Sequence, residues 1–154
     1  KKSIISMILS VHMFFGAAMA SLTHNPILAL LLALLGHYFL DLFPHVDYAV
    51  DNLKQRRWSK AWPEMVKVGL DILGGFFLIF LFSDREIVFY LAGMIALIPD
   101  SLTLISKIYP NQILAVHDEI HTKKIHFLKE KQIPMFWRFA TQITAVFASI
   151  IILS

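Results

Sequence analysis

Apolar residues along the chain gather in five long segments that are separated by short polar stretches. Each segment comes close to the ~20 residues that a helix needs to cross the hydrocarbon core of a membrane. Asn25-Pro26 makes the first link a tight turn, with Pro26 opening the next helix. The pattern predicts a single integral-membrane domain over residues 1–154. We expect an all-α polytopic bundle with spans at about 4–22, 26–43, 65–82, 87–106 and 136–153.

The composition agrees with a membrane protein and limits the chemistry. The chain is 57% hydrophobic and 16% charged, whereas globular domains carry about 25% charged residues. A net charge of +3 is too small to indicate nucleic-acid binding, so membrane lipid is the expected partner. There is no cysteine, and any metal ion must therefore be held by imidazole and carboxylate. That donor set favours a divalent metal, with zinc first and manganese or iron as alternatives.

Basic residues alternate between the predicted loops. The first loop has no lysine or arginine, whereas the second carries Lys54, Arg56, Arg57 and Lys60 and the fourth is again rich in lysine. By the positive-inside rule, the N-terminus is cytoplasmic and the C-terminus lies outside. We interpret the first apolar segment as a retained span because no clear signal cleavage site closes it.

The end of the second apolar segment carries the densest group of metal-competent side chains. His37 and Asp41 are four residues apart and share one face of a helix. His45 follows Pro44, which disfavours helix at Phe43, so His45 is expected on a turn. We predict a metal site from these three side chains. The alternative is that Asp41 and His45 only mark a helix end at the membrane interface.

The fourth loop contains a second group of histidines. Asn111 is placed to cap a helix over residues 112–131 that lies in the headgroup region. His117 and His121 are four apart and share a face, as two metal ligands on one helix do. His126, five residues beyond His121, is expected to turn away from it.

The predicted topology brings these groups to the cytoplasmic side, together with polar residues from other spans. Asp100 follows Pro99 and is either a ligand or the cap of a new helix, and His12 lies within the first span. Asp71 is expected to support the site through hydrogen bonds. Ionisable groups at membrane depth are costly and usually functional. We therefore predict one metal site formed by His12, His37, Asp41, His45, Asp100, His117 and His121, with Asp41 or Asp100 as the catalytic base.

Several short motifs resemble a known family. They are His12 in the first span, Pro44-His45-Val46-Asp47 after the second, and Ile98-Pro99-Asp100 in a later one. They are similar to those of small bacterial inner-membrane proteins described as membrane-bound metal-dependent hydrolases, the YdjM-like group. The resemblance covers the first ~50 residues and a few later positions. It implies a location in a bacterial inner membrane and metal-dependent hydrolysis.

The first functional hypothesis is a membrane-embedded metal-dependent hydrolase that acts near the cytoplasmic headgroup layer. A bound metal ion would generate a nucleophile from water near neutral pH. Since the site is expected to open to the headgroup layer, a lipid phosphoester or ester is the expected substrate. The second hypothesis is a transporter that relays protons or metal ions through His12, Asp71 and Asp100. The third is a non-catalytic membrane scaffold whose polar residues hold helices together.

Overall fold

The computed structural model describes residues 8–46, 49–128 and 133–154, and within these ranges it is helical without any strand. Three predictions fall partly outside them: the start of the first span, Asp47 of the family motif, and residues 129–131 of the loop helix. The described helices are α1 (Leu9–Ala20), α2 (Pro26–Asp41), α3 (Asp51–Lys54), α4 (Trp58–Phe82), α5 (Ile87–Ile95), α6 (Ile98–Ile108), α7 (Gln112–Glu119), a π-helix (Ile120–Ile125) and α8 (Met135–Leu153).

The helices differ in their capacity to cross a membrane. Among the described residues, α4 with 25 residues and α8 with 19 are long and apolar enough, and α5 with α6 form a third candidate as a bent pair. The described part of α1 has 12 residues and α2 has 16. At 1.5 Å per residue, α1 spans about 18 Å, less than the ~30 Å hydrocarbon core. The structure thus supports two or three spans, and the prediction of five is not supported.

The predicted fourth span is bent, not continuous. Its two halves, α5 and α6, meet at 40°, and Pro99 lies in the first turn of α6. Proline has no backbone N–H and cannot continue the hydrogen-bond ladder of a preceding helix, so the helix restarts there. Asp100 is consequently in the first turn of α6, where the helix dipole stabilises a carboxylate.

Helix α1 lies at the centre of the bundle and contacts α2, α4, α5 and α8. Small residues permit this close packing. A Cβ added at Gly75 of α4 would lie 2.6 Å from the Met13 sulfur, and one at Gly16 would lie 2.7 Å from the Ala96 Cβ. Glycine therefore allows the backbones to approach, as it does between membrane helices in general.

Asp71 fixes the start of α1. The residue that precedes this helix, Ile8, has no side chain able to cap it. Instead, the Asp71 carboxylate of α4 accepts hydrogen bonds from the backbone N–H groups of Leu9 and Ser10. Asp71 thereby holds the first turn of α1, and His12 follows one turn later on the same helix.

The outer surfaces of the two longest helices are apolar. Large side chains with more than a third of their area exposed include Leu70, Leu73 and Phe77 on α4 and Ile143 and Phe147 on α8. Soluble monomers seldom expose apolar patches of this extent. This surface is consistent with an integral membrane protein.

Candidate metal centre

Asp41, the last residue of α2, is the centre of a buried cluster of histidines. Its side chain receives contacts from four imidazole Nε2 atoms. His12 and His126 lie 3.0 Å and 3.3 Å from Oδ1. His37 and His121 lie 3.0 Å and 2.9 Å from Oδ2. Only 1% of Asp41 is exposed, so a single buried carboxylate faces four rings.

Three of these side chains and Asp100 form a compact set of metal donors. His37, Asp41, Asp100 and His121 each offer an atom within 4.8 Å of the others. The Nε2 atoms of His37 and His121 are 3.2 Å apart, and Asp100 Oδ1 is 3.9 Å from each. Two ligands ~2 Å from one tetrahedral zinc ion lie about 3.3 Å apart. The donors therefore have the spacing that a single ion requires.

The surroundings of His121 suit it to bind metal. Its Nδ1 lies 3.0 Å from the hydroxyl oxygen of Thr103 on α6, which orients the ring with Nε2 towards Asp41. Burial lowers the pKa of the His121 imidazole more than its hydrogen bond to Asp41 raises it. The lowered pKa favours the neutral ring, and the neutral ring is the form that coordinates metal.

The predicted loop helix begins as expected and ends differently. The Asn111 side chain accepts a hydrogen bond from the backbone N–H of Leu114 and caps α7. After Glu119 the chain continues as a π-helix, in which the N–H of His126 donates to the carbonyl of His121 at 3.1 Å. Its i→i+5 bonding pattern places residues five apart on one side. The prediction that His126 turns away from His121 was therefore wrong, and His126 faces Asp41.

His45 lies on the turn after α2, as the position of Pro44 predicted. Its Nδ1 donates to the Phe43 carbonyl at 2.9 Å. Helix α8 holds this turn, since Thr141 donates to the Pro44 carbonyl and Gln142 donates to the Val46 carbonyl. His45 forms a second set of potential donors with Asp41 and His126.

Two predicted ligands reach the site in another way. His117 Nε2 donates to the Pro99 carbonyl at 3.0 Å, and its ring stacks on that of His121 with centroids 5.4 Å apart. It thus supports the ring of His121 and the backbone next to Asp100. His12 contacts Asp41 directly. Within the described residues, neither His117 nor His12 belongs to the two donor sets.

His24 is the one histidine away from the cluster. It lies in the exposed turn between α1 and α2, at the opposite end of these helices from Asp41. His24 therefore offers a matched control for the histidines of the cluster.

An apolar groove leads away from the cluster between α1, α2 and α8. It encloses about 310 Å³, and its lining includes His12, His45, Phe15, Phe39, Trp137 and Ala148. A smaller cavity of about 10 Å³ is bordered by Asp41, His45, His126 and Arg138. The histidine cluster therefore borders both a large apolar groove and a small cavity.

Sequence reasoning missed three residues around the centre, namely Thr103, His126 and Arg138.

Comparisons with protein-family models, curated proteins and solved structures found no match to this chain.

Proposed function

We propose that this protein is a membrane-embedded metal-dependent hydrolase whose substrate is a lipid phosphoester. One observation carries the proposal: a buried cluster of imidazoles around Asp41 adjoins an apolar groove. In this proposal the cluster binds a metal ion, and the groove holds a lipid chain.

The contacts between the rings favour a bound cation. The Nε2 atoms of His37 and His121 lie 3.2 Å apart, and both face Asp41 Oδ2. If one nitrogen carries a proton, it can donate to the other ring or to Asp41, and if both carry lone pairs, the two nitrogens and the carboxylate oxygen repel one another. A divalent cation between them and the carboxylate satisfies all three groups. Zinc suits this set of nitrogen and oxygen donors best, with manganese and iron as alternatives.

Asp100 is placed to act as the base. When bound, a metal ion would lower the pKa of a coordinated water and polarise a phosphoryl oxygen. Asp41 already contacts four imidazoles, so we assign it as a ligand. Asp100 stands further away, and its Oδ2 has no hydrogen-bond partner among the described residues. In the proposed reaction the water oxygen attacks phosphorus, Asp100 accepts the water proton, and the P–O ester bond breaks as that proton passes to the oxygen of the departing alcohol.

The groove and Arg138 indicate the class of substrate. The walls of the 310 Å³ groove are largely apolar and aromatic, and His12 and His45 of the cluster are part of its lining. An acyl chain in the groove would place its headgroup next to the histidines. Arg138 borders the adjoining cavity, and a guanidinium binds phosphate through paired hydrogen bonds. An acyl ester would fit the groove equally well but has no phosphate for this guanidinium to bind.

The proposal includes the orientation of the protein in a bacterial inner membrane. We infer that the site lies at the cytoplasmic headgroup level and that the N-terminus is cytoplasmic, because the loops near the site carry most of the basic residues. The full arrangement of five spans is part of this proposal, with α1 packed against the longer helices α4 and α8. The chain has no cysteine, so single cysteines at Ser83 and Lys124 are clean probes. An impermeant reagent should label them from opposite sides, and labelling from one side would refute the topology.

Turnover in detergent micelles tests the activity. The purified protein, loaded with zinc, manganese or iron(II), is incubated with phosphatidic acid, phospholipid and diacylglycerol substrates, with and without a chelator. We expect phosphate-ester hydrolysis that the chelator abolishes and that His24→Ala retains. Chelator-insensitive turnover would contradict the proposal. No turnover on any lipid despite bound metal would favour ion transport or structural metal binding.

A further inference from the structure

We infer a second metal site that shares Asp41 with the first and is completed by His45 and His126. The proposed hydrolase requires only one ion, so this site goes beyond it. The described residues contain two donor sets, and Asp41 is the one residue common to both.

The two sets use different oxygens of the shared carboxylate. His37 and His121 lie nearest to Oδ2, at 3.0 Å and 2.9 Å, whereas His126 lies 3.3 Å from Oδ1. A carboxylate that presents one oxygen to each of two donor sets can bridge two ions. Paired ions in hydrolytic sites lie roughly 3.5–4 Å apart, a distance that one carboxylate spans.

The tautomers of both histidines in the second set favour metal binding. His45 Nδ1 contacts the Phe43 carbonyl, and His126 Nδ1 contacts the His121 carbonyl, each at 2.9 Å. A carbonyl oxygen only accepts, so Nδ1 carries the proton in each ring. In the neutral ring Nε2 then carries the lone pair. A backbone contact of this kind usually orients a histidine that binds metal through its other nitrogen.

The π-helix gives His126 its position. Its bond from the N–H of His126 to the carbonyl of His121 brings both rings to Asp41, one to each oxygen. Such helices are rare and occur often at functional sites. A regular α-helix would turn residues five apart to different faces, and the second set would lose this ligand.

The space beside this set suits one small ion. Asp41, His45 and His126 border the cavity of about 10 Å³, and roughly 10–15 Å³ of such volume holds one water-sized species. His45 lines both this cavity and the larger groove, so a ligand in the groove would lie next to a residue of the second set.

Two ions would also suit the anionic substrate of the proposed function. Asp41 and Asp100 supply two negative charges among neutral imidazoles, half of what two divalent ions need. The excess positive charge in a buried site attracts a phosphoester, which strengthens the role proposed for Arg138. This last step rests on the proposed function, whereas the second site does not.

Metal stoichiometry tests the inference. Tag-free protein in detergent is equilibrated with zinc or manganese against a weak chelator, and bound metal per chain is measured by mass spectrometry. We expect two ions in wild type and in His24→Ala, and one in His126→Gln and in His45→Gln. Circular dichroism and the midpoint of thermal unfolding verify that the variants fold. One ion in wild type, or two in His126→Gln, would overturn the second site.

Electron paramagnetic resonance of the manganese-loaded protein gives an independent readout. Two manganese ions bridged by Asp41 would be magnetically coupled and show a many-line spectrum, whereas one ion gives six lines. We expect the coupled spectrum in wild type and the six-line spectrum in His126→Gln. Six lines in wild type would reject the bridge. Hydrolysis by a protein that holds one ion would leave the proposed function intact, so the two proposals fail separately.

Discussion

Two helical segments bring pairs of donors to the same point by different geometries. In α2, His37 and Asp41 are four residues apart on a regular α-helix. Across from them, His121 and His126 are five apart and converge because residues 120–125 form a π-helix. His37, His121 and His126 each place Nε2 within 3.3 Å of an Asp41 carboxylate oxygen.

The comparison shows where helical periodicity is a sufficient guide. Side chains four apart on an α-helix stack on one face, so the first pair could be recognised from spacing alone. The same rule gave the wrong direction for His126, because it assumes one helical register along the whole segment. Histidine spacing near a metal site therefore has to be considered in both registers.

The variant with the largest expected effect is Asp41→Asn, which removes the carboxylate that both donor sets contain. An amide keeps the shape of the side chain but lacks the charge that binds a cation. We expect loss of bound metal from both donor sets and loss of turnover. Elemental analysis and the micelle assay measure the two effects. Metal content equal to that of wild type would show that Asp41 is not a ligand.

A histidine moved by one residue tests the register of the π-helix. Ile125→His combined with His126→Ala places the ring four residues after His121, where an α-helix would present it to the site. We expect this variant to bind one ion fewer than wild type, as His126→Ala does. Restoration of the full metal content would indicate an α-helical register and would remove the contrast with α2.

Asp100→Asn separates the base from the ligands. Asp100 Oδ1 lies 3.9 Å from the ring nitrogens of His37 and His121, further than Asp41 does. We expect metal content to stay unchanged and turnover to fall by roughly 10²–10⁴-fold, the usual contribution of a positioned base. Metal loss in step with activity would instead make Asp100 an essential ligand.

The smallest effect is expected for His117→Phe. Phenylalanine preserves a ring next to His121 but cannot donate to the Pro99 carbonyl. A neutral hydrogen bond contributes about 1 kcal/mol, so turnover should fall by roughly fivefold with metal retained. Complete metal loss would return His117 to the set of ligands that the sequence predicted.

Much of the fold and part of the site could be predicted from the sequence. Helical periodicity and apolar segments predict an all-α membrane protein, and spacing with Pro44 predicts the positions of His37, Asp41 and His45. Asn25 and Asn111 are recognisable as caps because their side chains satisfy the first N–H groups of a helix.

The remaining features depend on tertiary packing. Apolar content does not reveal that α1 is short and central, or that Pro99 divides a predicted span. The direction of His126 depends on a π-helix, which has no sequence signature here. Arg138 is close to Asp41 only because α8 docks on the turn that carries His45.

The central claim is that His37 and His121 hold a metal ion together with Asp41. Elemental analysis of detergent-purified wild type and of the His37→Ala/His121→Ala double variant tests it most directly, with His24→Ala as the matched control. We predict zinc, manganese or iron at one or more ions per chain in wild type and in the control. We predict a loss of at least one ion per chain in the double variant. Equal metal content in wild type and the double variant would contradict the claim.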